Sequence, residues 1–185
     1  MNKINYIPSE KIPNFSTKMS NITPILTDNP LHTDILQTAG KLGAKLDIPT
    51  FIVGGFVRDK LMNRSTTDID IMVEGDGIDF GEKLAKELKI NTVVDYEKFG
   101  TALIPHADVG IEVATARKET YSPDSRKPEV VSCSVSEDMS RRDFTVNAIA
   151  ASILPESFGD LIDPFCGIKD MQKGHLVTPL SPNDT

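Results

Sequence analysis

The chain has no tryptophan, three tyrosines and two cysteines among its 185 residues. Cys133 and Cys166 stand far apart and outside any CxxC spacing, which argues against a sulfur-ligated zinc site and a disulfide framework. No apolar run approaches the ~18 residues of a membrane-spanning helix. The start, MNKINYIPSEK, lacks the apolar stretch of a secretory leader, so the expectation is a cytoplasmic protein with no membrane partner. Positive charge is also scarce. Lys and Arg number 20 against 27 Asp and Glu, giving a net charge of −7 and a pI near 5.0. That balance argues against a broad phosphate-binding surface and leaves room for a local basic patch. The three histidines, His32, His106 and His175, lack ligand spacing and are read as surface or loop residues.

What is present is an ordinary globular composition, 39% hydrophobic and 25% charged, in a chain long enough for one domain with a proper core. Residues Met1 to Asp28, polar and carrying Pro8, Pro13 and Pro24, read as an irregular N-terminal arm. Asn29-Pro30 caps and opens a leading helix over 29–48, with the stripe Leu31, Ile35, Ala39, Leu42 and Leu46. It begins a domain spanning 29–178. Phe51–Val53 is a short buried strand, and Gly54-Gly55 is a turn into a brief helix. Asp68–Val73 is a strand because Ile69, Ile71 and Val73 alternate with their neighbours. Phe80, Leu84 and Leu88 mark the next helix, with Glu82 and Lys86 paired on its outer side.

Further strands are expected over Thr92–Tyr96, Thr101–Pro105 and Gly110–Ala116, the last two forming a hairpin. Arg117 to Glu129 has no apolar periodicity and reads as a charged loop. Ser134 to Glu137 is a capping box. Thr145–Leu154 is buried, with no period that separates helix from strand. Asp163-Pro164 opens a helix stopped by Gly174, Leu176 and Val177 add an edge strand, and 179–185 is a tail. The sum is an α+β fold with strands and helices around one sheet.

Chemistry gathers around two aspartates. Period-2 geometry sends Asp68 and Asp70 to one face of their strand, roughly 6.5 Å apart. Alone, the pair is either a solvated sheet edge or a divalent-cation site, since like charges in a dry setting need a cation between them. Glu112, alternating with Ile111 and Val113, is either an exposed hairpin residue or a third carboxylate beside the aspartates. Three carboxylates on adjacent strands suit Mg²⁺-assisted phosphoryl transfer. Gly54-Gly55, between strand and helix, is either a plain turn or an anion cradle. Arg58 supplies a fork to phosphate oxygens or a salt bridge to Asp59 or the aspartate strand. Arg141-Arg142-Asp143-Phe144 places charge next to a buried run, where unpaired charge is costly, which favours a functional role over a solvated cluster.

Taken in order, GGFVRD, TTDIDIMVEGDG, GIEVATARKE, SRKP, RRDFTVNAIA and LIDPFCGIKD resemble the catalytic head of the bacterial-type (class II) CCA-adding tRNA nucleotidyltransferase and poly(A) polymerase family, a branch of the polymerase-β-like nucleotidyltransferases. The similarity runs from about Phe51 to Thr178. It implies a polymerase-β-like fold, a mixed and mostly antiparallel sheet flanked by helices. It implies a template-independent enzyme that adds CMP, CMP and AMP to tRNA 3′ ends from CTP and ATP, releasing pyrophosphate, with two Mg²⁺ ions. By the same resemblance Asp68 and Asp70 are the metal-binding catalytic pair. Gly54, Gly55 and Arg58 receive the triphosphate, Arg142 and Asp143 contact the nucleotide, Glu112 is an acidic catalytic position on the primer side, and Arg117 to Glu129 is a flexible loop.

In that family a helical neck, a body and a tail follow the head, select the nucleotide and grip tRNA. The chain ends at Thr185, where the neck is expected, and so reads as the N-terminal part of a longer enzyme, poorly active alone. A poly(A) polymerase or an A-only-adding tRNA nucleotidyltransferase shares the same head and stands as an alternative. So does a non-catalytic nucleotide- or RNA-binding module, against which the Asp68 and Asp70 pair beside Arg58 argues.

Overall fold

The computed structural model describes residues 20–120 and 129–180. Much of the expected arm (1–19), the middle of the charged loop (121–128) and most of the tail (181–185) lie outside the described residues. The arm reading differs from the structure from Asn21 onward. Asn21 bridges Asp160, and a one-turn helix, α1 (Thr23–Leu26), follows. Ile22 and Leu26 are buried in the main core, so two apolar side chains in a polar stretch suffice to pull it into the fold.

Helix α2 (Pro30–Leu46) starts as its sequence dictates: the Asn29 side chain accepts from the backbone N–H groups of Leu31 and His32, and Pro30 fills the first position. Its buried face is His32, Ile35, Leu36, Ala39, Gly40, Leu42 and Gly43, with Leu31 and Leu46 only half-buried. The face is therefore rotated from the expected stripe because two glycines sit on it. A Cβ at Gly40 would lie 1.8 Å from the Ile153 carbonyl oxygen, so the helix rests directly on backbone. His32 is a correction to the surface reading. It is 4% exposed, edge-on to Phe56 with ring centroids 5.4 Å apart, and its Nδ1 has no partner.

The sheet grows from β1 (Thr50–Val53), β2 (Asp68–Val73), β3 (Val94–Tyr96), β4 (Thr101–His106), β5 (Val109–Thr115), β8 (Ala150–Ser152) and β9 (Leu161–Ile162), in the order β3-β4-β5-β2-β1-β8-β9. Every neighbouring pair is antiparallel except β2 and β5, which run parallel. The chain passes from β1 directly into α3 (Gly54–Leu61) and from β2 into α4 (Gly77–Glu87), capped by Asp76. The i,i+4 ion pair on α4 is Lys83–Asp79, not the expected Glu82–Lys86.

One sheet face carries Ile52, Ile69, Ile71, Val73, Ile111 and Val113 into the core shared with α2, α3 and α4. The other face carries Phe51, Val53 and Met72 into a smaller cluster with Val135 and Met139 of α5 (Val135–Ser140). Asp68 and Asp70 share that second face, beyond the cluster.

The expected charged loop is paired at both ends. β6 (Arg117–Thr120) and β7 (Glu129–Ser132) form an antiparallel ribbon with Arg117 opposite Ser132, held by backbone hydrogen bonds that leave no apolar alternation to read. The capping box at Ser134 and Glu137 forms. In the ambiguous Thr145–Leu154 run, a single 3₁₀ turn at Thr145–Asn147 leads into β8, whose residues are all buried. Helix α6 (Gly167–Lys173) opens later than expected, with Cys166 as its N-cap and Pro164 and Phe165 in the turn before it; the Asp163 side chain still accepts from the Gly167 and Ile168 N–H groups. Leu176 and Val177 are exposed and lie outside the sheet, a second correction; they follow a Gly174 stop in the left-handed region.

Candidate active site

Parallel pairing of β2 with β5 brings sequence-distant acids together, with Asp70 directly opposite Glu112 and Asp68 opposite Gly110. A Cβ at Gly110 would stand 3.6 Å from Asp68 Oδ1, so the glycine leaves the space in front of that carboxylate open. Asp68 and Glu112 are exposed, while Asp70 is half-buried. Burial raises the Asp70 carboxyl above its ordinary value, and Glu112 and Asp68 push it further the same way. Arg142 and a hydrogen bond from the Phe56 N–H oppose that rise. The first turn of α3 therefore holds the protein's own Asp70 carboxylate.

Gly54 opens α3 at φ +63°, and a Cβ there would lie 2.7 Å from Arg142 Nη1. Only glycine suits both the left-handed backbone and the approach of that guanidinium. Gly55 faces Asp70, since a Cβ on it would be 3.7 Å from both Asp70 Oδ2 and Arg58 Nη2. Arg58 donates through Nε and Nη2 to Asp59, each at 2.9 Å, and through Nη1 to Asn147 Oδ1 at 2.6 Å. The salt bridge to Asp59 is thus present. Arg58 offers fixed positive charge to the cleft, with its fork already engaged.

Arg142 follows α5. Its Nε and Nη2 reach Asp138 Oδ1 at 3.4 Å, and Nη1 reaches the Asn147 carbonyl at 3.4 Å. Asp143 Oδ1 accepts from the Phe144 N–H at 2.8 Å and from Asn147 Nδ2 at 2.9 Å. Gly55, Arg58, Arg141, Arg142, Asp143 and Asn147 line an open cleft of about 560 Å³. Asp70 stands at its edge through Gly55, and Asp68 and Glu112 continue along the sheet face beyond it. An anion entering this cleft meets three guanidinium groups, with carboxylates at the rim.

The family model described as the poly(A) polymerase head domain matches residues 50–177. The chain belongs to that family. An A-adding tRNA nucleotidyltransferase of Geobacter sulfurreducens is 42% identical over 140 residues, covering 75% of this chain and 16% of that protein. A solved CCA-adding enzyme in an apo form superposes with a TM-score of 0.78 at 35% identity, covering 86% of this chain and 38% of its own. A tRNA nucleotidyltransferase complexed with a primer tRNA and an incoming ATP analog gives 0.67 at 36% identity, covering 77% and 39%. The head domain therefore spans well under half the length of each of these relatives.

Two residues of this head domain escaped the sequence reading. Asn147 links Arg58 to Asp143 through its side-chain amide. Asp138, fully buried, receives both Arg141 and Arg142. A signal existed for each: Asn147 lies four residues after Asp143, and Asp138 lies three and four residues before the arginines.

Among the described residues, no three His, Cys, Asp or Glu side chains converge as a ready-made metal cage. Mg²⁺ does not require one, because it is held by one or two carboxylates completed by water and substrate phosphate. The hard oxygens of Asp70, crowded by Glu112 and Asp68 with Arg142 opposing, and of the exposed Asp68 two residues before it fit that mode of binding.

Proposed function

We propose that this head domain transfers a nucleoside monophosphate from ATP or CTP to the 3′ end of tRNA, releasing pyrophosphate, within a cytoplasmic enzyme longer than the chain described. The observation that carries this reading is the adjacency of Asp70, crowded by like charge from Glu112 and Asp68, to a cleft lined by Arg58, Arg141 and Arg142. In the proposal Asp68 and Asp70 hold two Mg²⁺ ions, which when bound would lower the pKa of the RNA 3′-hydroxyl and neutralise phosphate charge.

The chain's own residues then bind and orient. Gly54 and Gly55 let the triphosphate approach the start of α3 without a Cβ in its way. Arg58 adds positive charge fixed by Asp59 and Asn147. Arg142 reaches over Gly54 toward the nucleotide, and Asp143 holds Asn147 in place. Glu112, exposed opposite Asp70, takes the acidic primer-side role in this proposal.

Addition of the whole CCA end is the first reading. A-only addition is the second, favoured by the 42% identity to an A-adding relative. Incubating the full-length protein with tRNA lacking its whole CCA end, and separately with tRNA lacking only its 3′-terminal A, with CTP, ATP or both, and sequencing the products tests both. CCA ends with both nucleotides support the first reading, and a single added A from ATP alone, with no use of CTP, supports the second. No extension of tRNA under any condition refutes the proposal.

A further inference from the structure

Asp138 is 0% exposed, and a carboxylate taken fully out of water is costly unless its oxygens are satisfied. Its partners fall into two sets, one per oxygen. Oδ2 accepts from the Arg117 N–H at 3.1 Å and from Arg141 Nη2 at 2.6 Å. Arg141 Nε in turn donates to the Arg117 carbonyl at 2.8 Å. This closed ring fixes Oδ2 to the start of β6, where the ribbon leaves the sheet. Oδ1 faces the cleft and receives Arg142 through Nε and Nη2, each at 3.4 Å. Those distances sit at the long end of hydrogen bonding, so Arg142 is aimed without being clamped. Its Nη1 is thereby left over Gly54, where a Cβ would lie 2.7 Å away.

We infer that Asp138 is a positioning residue for nucleotide binding, aiming Arg142 at the Gly54-Gly55 turn and tying it to the base of the β6–β7 ribbon. The inference rests on the reading that the cleft binds a nucleotide. Asp138 touches no substrate. It acts through Arg142, and it converts the placement of the ribbon base into the placement of a cleft guanidinium. Removing its charge leaves Arg142 held only by the 3.4 Å contact of Nη1 with the Asn147 carbonyl, while the carboxylates at the rim stay where β2 and β5 put them.

The test is a double-mutant cycle in the full-length protein with Asp138→Asn, Arg142→Ala and the pair, reading the Kd for MgATP by calorimetry and kcat and KM for AMP addition. The expected result is a KM and Kd for ATP raised about tenfold by Asp138→Asn, the scale of one charge-assisted hydrogen bond, with kcat much less affected. On the Arg142→Ala background the same change adds less than about twofold. Full additivity, or unchanged ATP affinity in Asp138→Asn, overturns the inference while leaving the nucleotide reading of the cleft intact. Unchanged ATP affinity in Arg142→Ala overturns that reading and the inference with it. Should Asp138→Asn not fold, Asp138→Glu keeps the charge, displaces its oxygens and carries the same cycle with the same deciding outcomes.

Discussion

Replacing Asp70 by asparagine in the 185-residue chain should make the metal-free protein more stable, not less. Burial, Glu112 and Asp68 all work against the ionised carboxylate, and Arg142 and the Phe56 N–H work for it. The net effect is a carboxyl raised above its ordinary 3.8, so the unfavourable set wins. For charges about 6 Å apart, Coulomb's law gives about 0.7 kcal/mol in water and about 3 at an effective dielectric of 20. With Glu112 exposed and Asp70 half-buried, and the Phe56 hydrogen bond weakened from charge-assisted to neutral set against the gain, about 1 kcal/mol is expected. That corresponds to a rise in Tm of about 2–4 °C.

The sign with pH follows from the raised value. A folded state that holds the proton more tightly carries its full cost above the raised folded pKa and sheds it as pH falls toward 3.8. The advantage of Asp70→Asn is therefore largest near neutral pH and disappears below about 3.8. Urea unfolding in EDTA at pH 7 and pH 3.5 measures it. Mg²⁺ should narrow the gap at pH 7 by stabilising the parent chain more than the variant. A variant less stable than its parent by more than about 0.5 kcal/mol at pH 7 in EDTA would refute the reasoning, showing that the Phe56 and Arg142 contacts outweigh the carboxylate crowding.

Two further outcomes follow from the geometry. Gly54→Ala must place a Cβ at φ +63° and 2.7 Å from Arg142 Nη1; it should cost about 1–2 kcal/mol of stability and weaken ATP binding, and an unfolding curve and ATP affinity both unchanged would contradict the close approach. Burial and the charge of Lys60 lower the His32 pKa from 6.5, against the pull of Asp28, so its stabilising contribution is full above pH 6.5 and declines as pH falls through the lowered value. His32→Leu should flatten that part of the stability–pH curve, and persistence of the same slope in the variant would assign it elsewhere.

Much of the site is legible because it sits on strands. Ile69, Ile71 and Val73 mark β2 by alternation alone, and the same alternation in β5 places Glu112 on the face opposite Ile111. The parallel register that sets Asp70 against Glu112 is tertiary information, and local pattern offers only that it is allowed. What escaped depends on contacts made by few or polar groups. Ile22 and Leu26 join the core from a stretch whose composition is polar. In the β6–β7 ribbon, Arg117, Lys118, Glu119 and Thr120 pair with Ser132, Val131, Val130 and Glu129, so β6 itself carries no apolar alternation to read.

His32 lies one turn before Leu36 on the buried face of α2, a spacing that also fits an exposed residue until Phe56 packs on it. Asp138 stands three and four residues before Arg141 and Arg142, a spacing the sequence offers, but its full burial and the meeting of Arg58 with Asn147 exist only in the folded chain.

The claim at the centre is that Asp68 and Asp70 form the carboxylate pair of a nucleotidyl-transfer site. The most direct measurement is the incorporation of labelled AMP into tRNA lacking its 3′-terminal A by the full-length protein, with Asp68→Ala and Asp70→Ala compared against the parent at matched folded concentration. Loss of incorporation in each variant, with ATP binding to the Arg58 and Arg142 side of the cleft retained at reduced affinity, is the predicted result. Mg²⁺-dependent incorporation surviving in either variant at a rate near the parent's would contradict it.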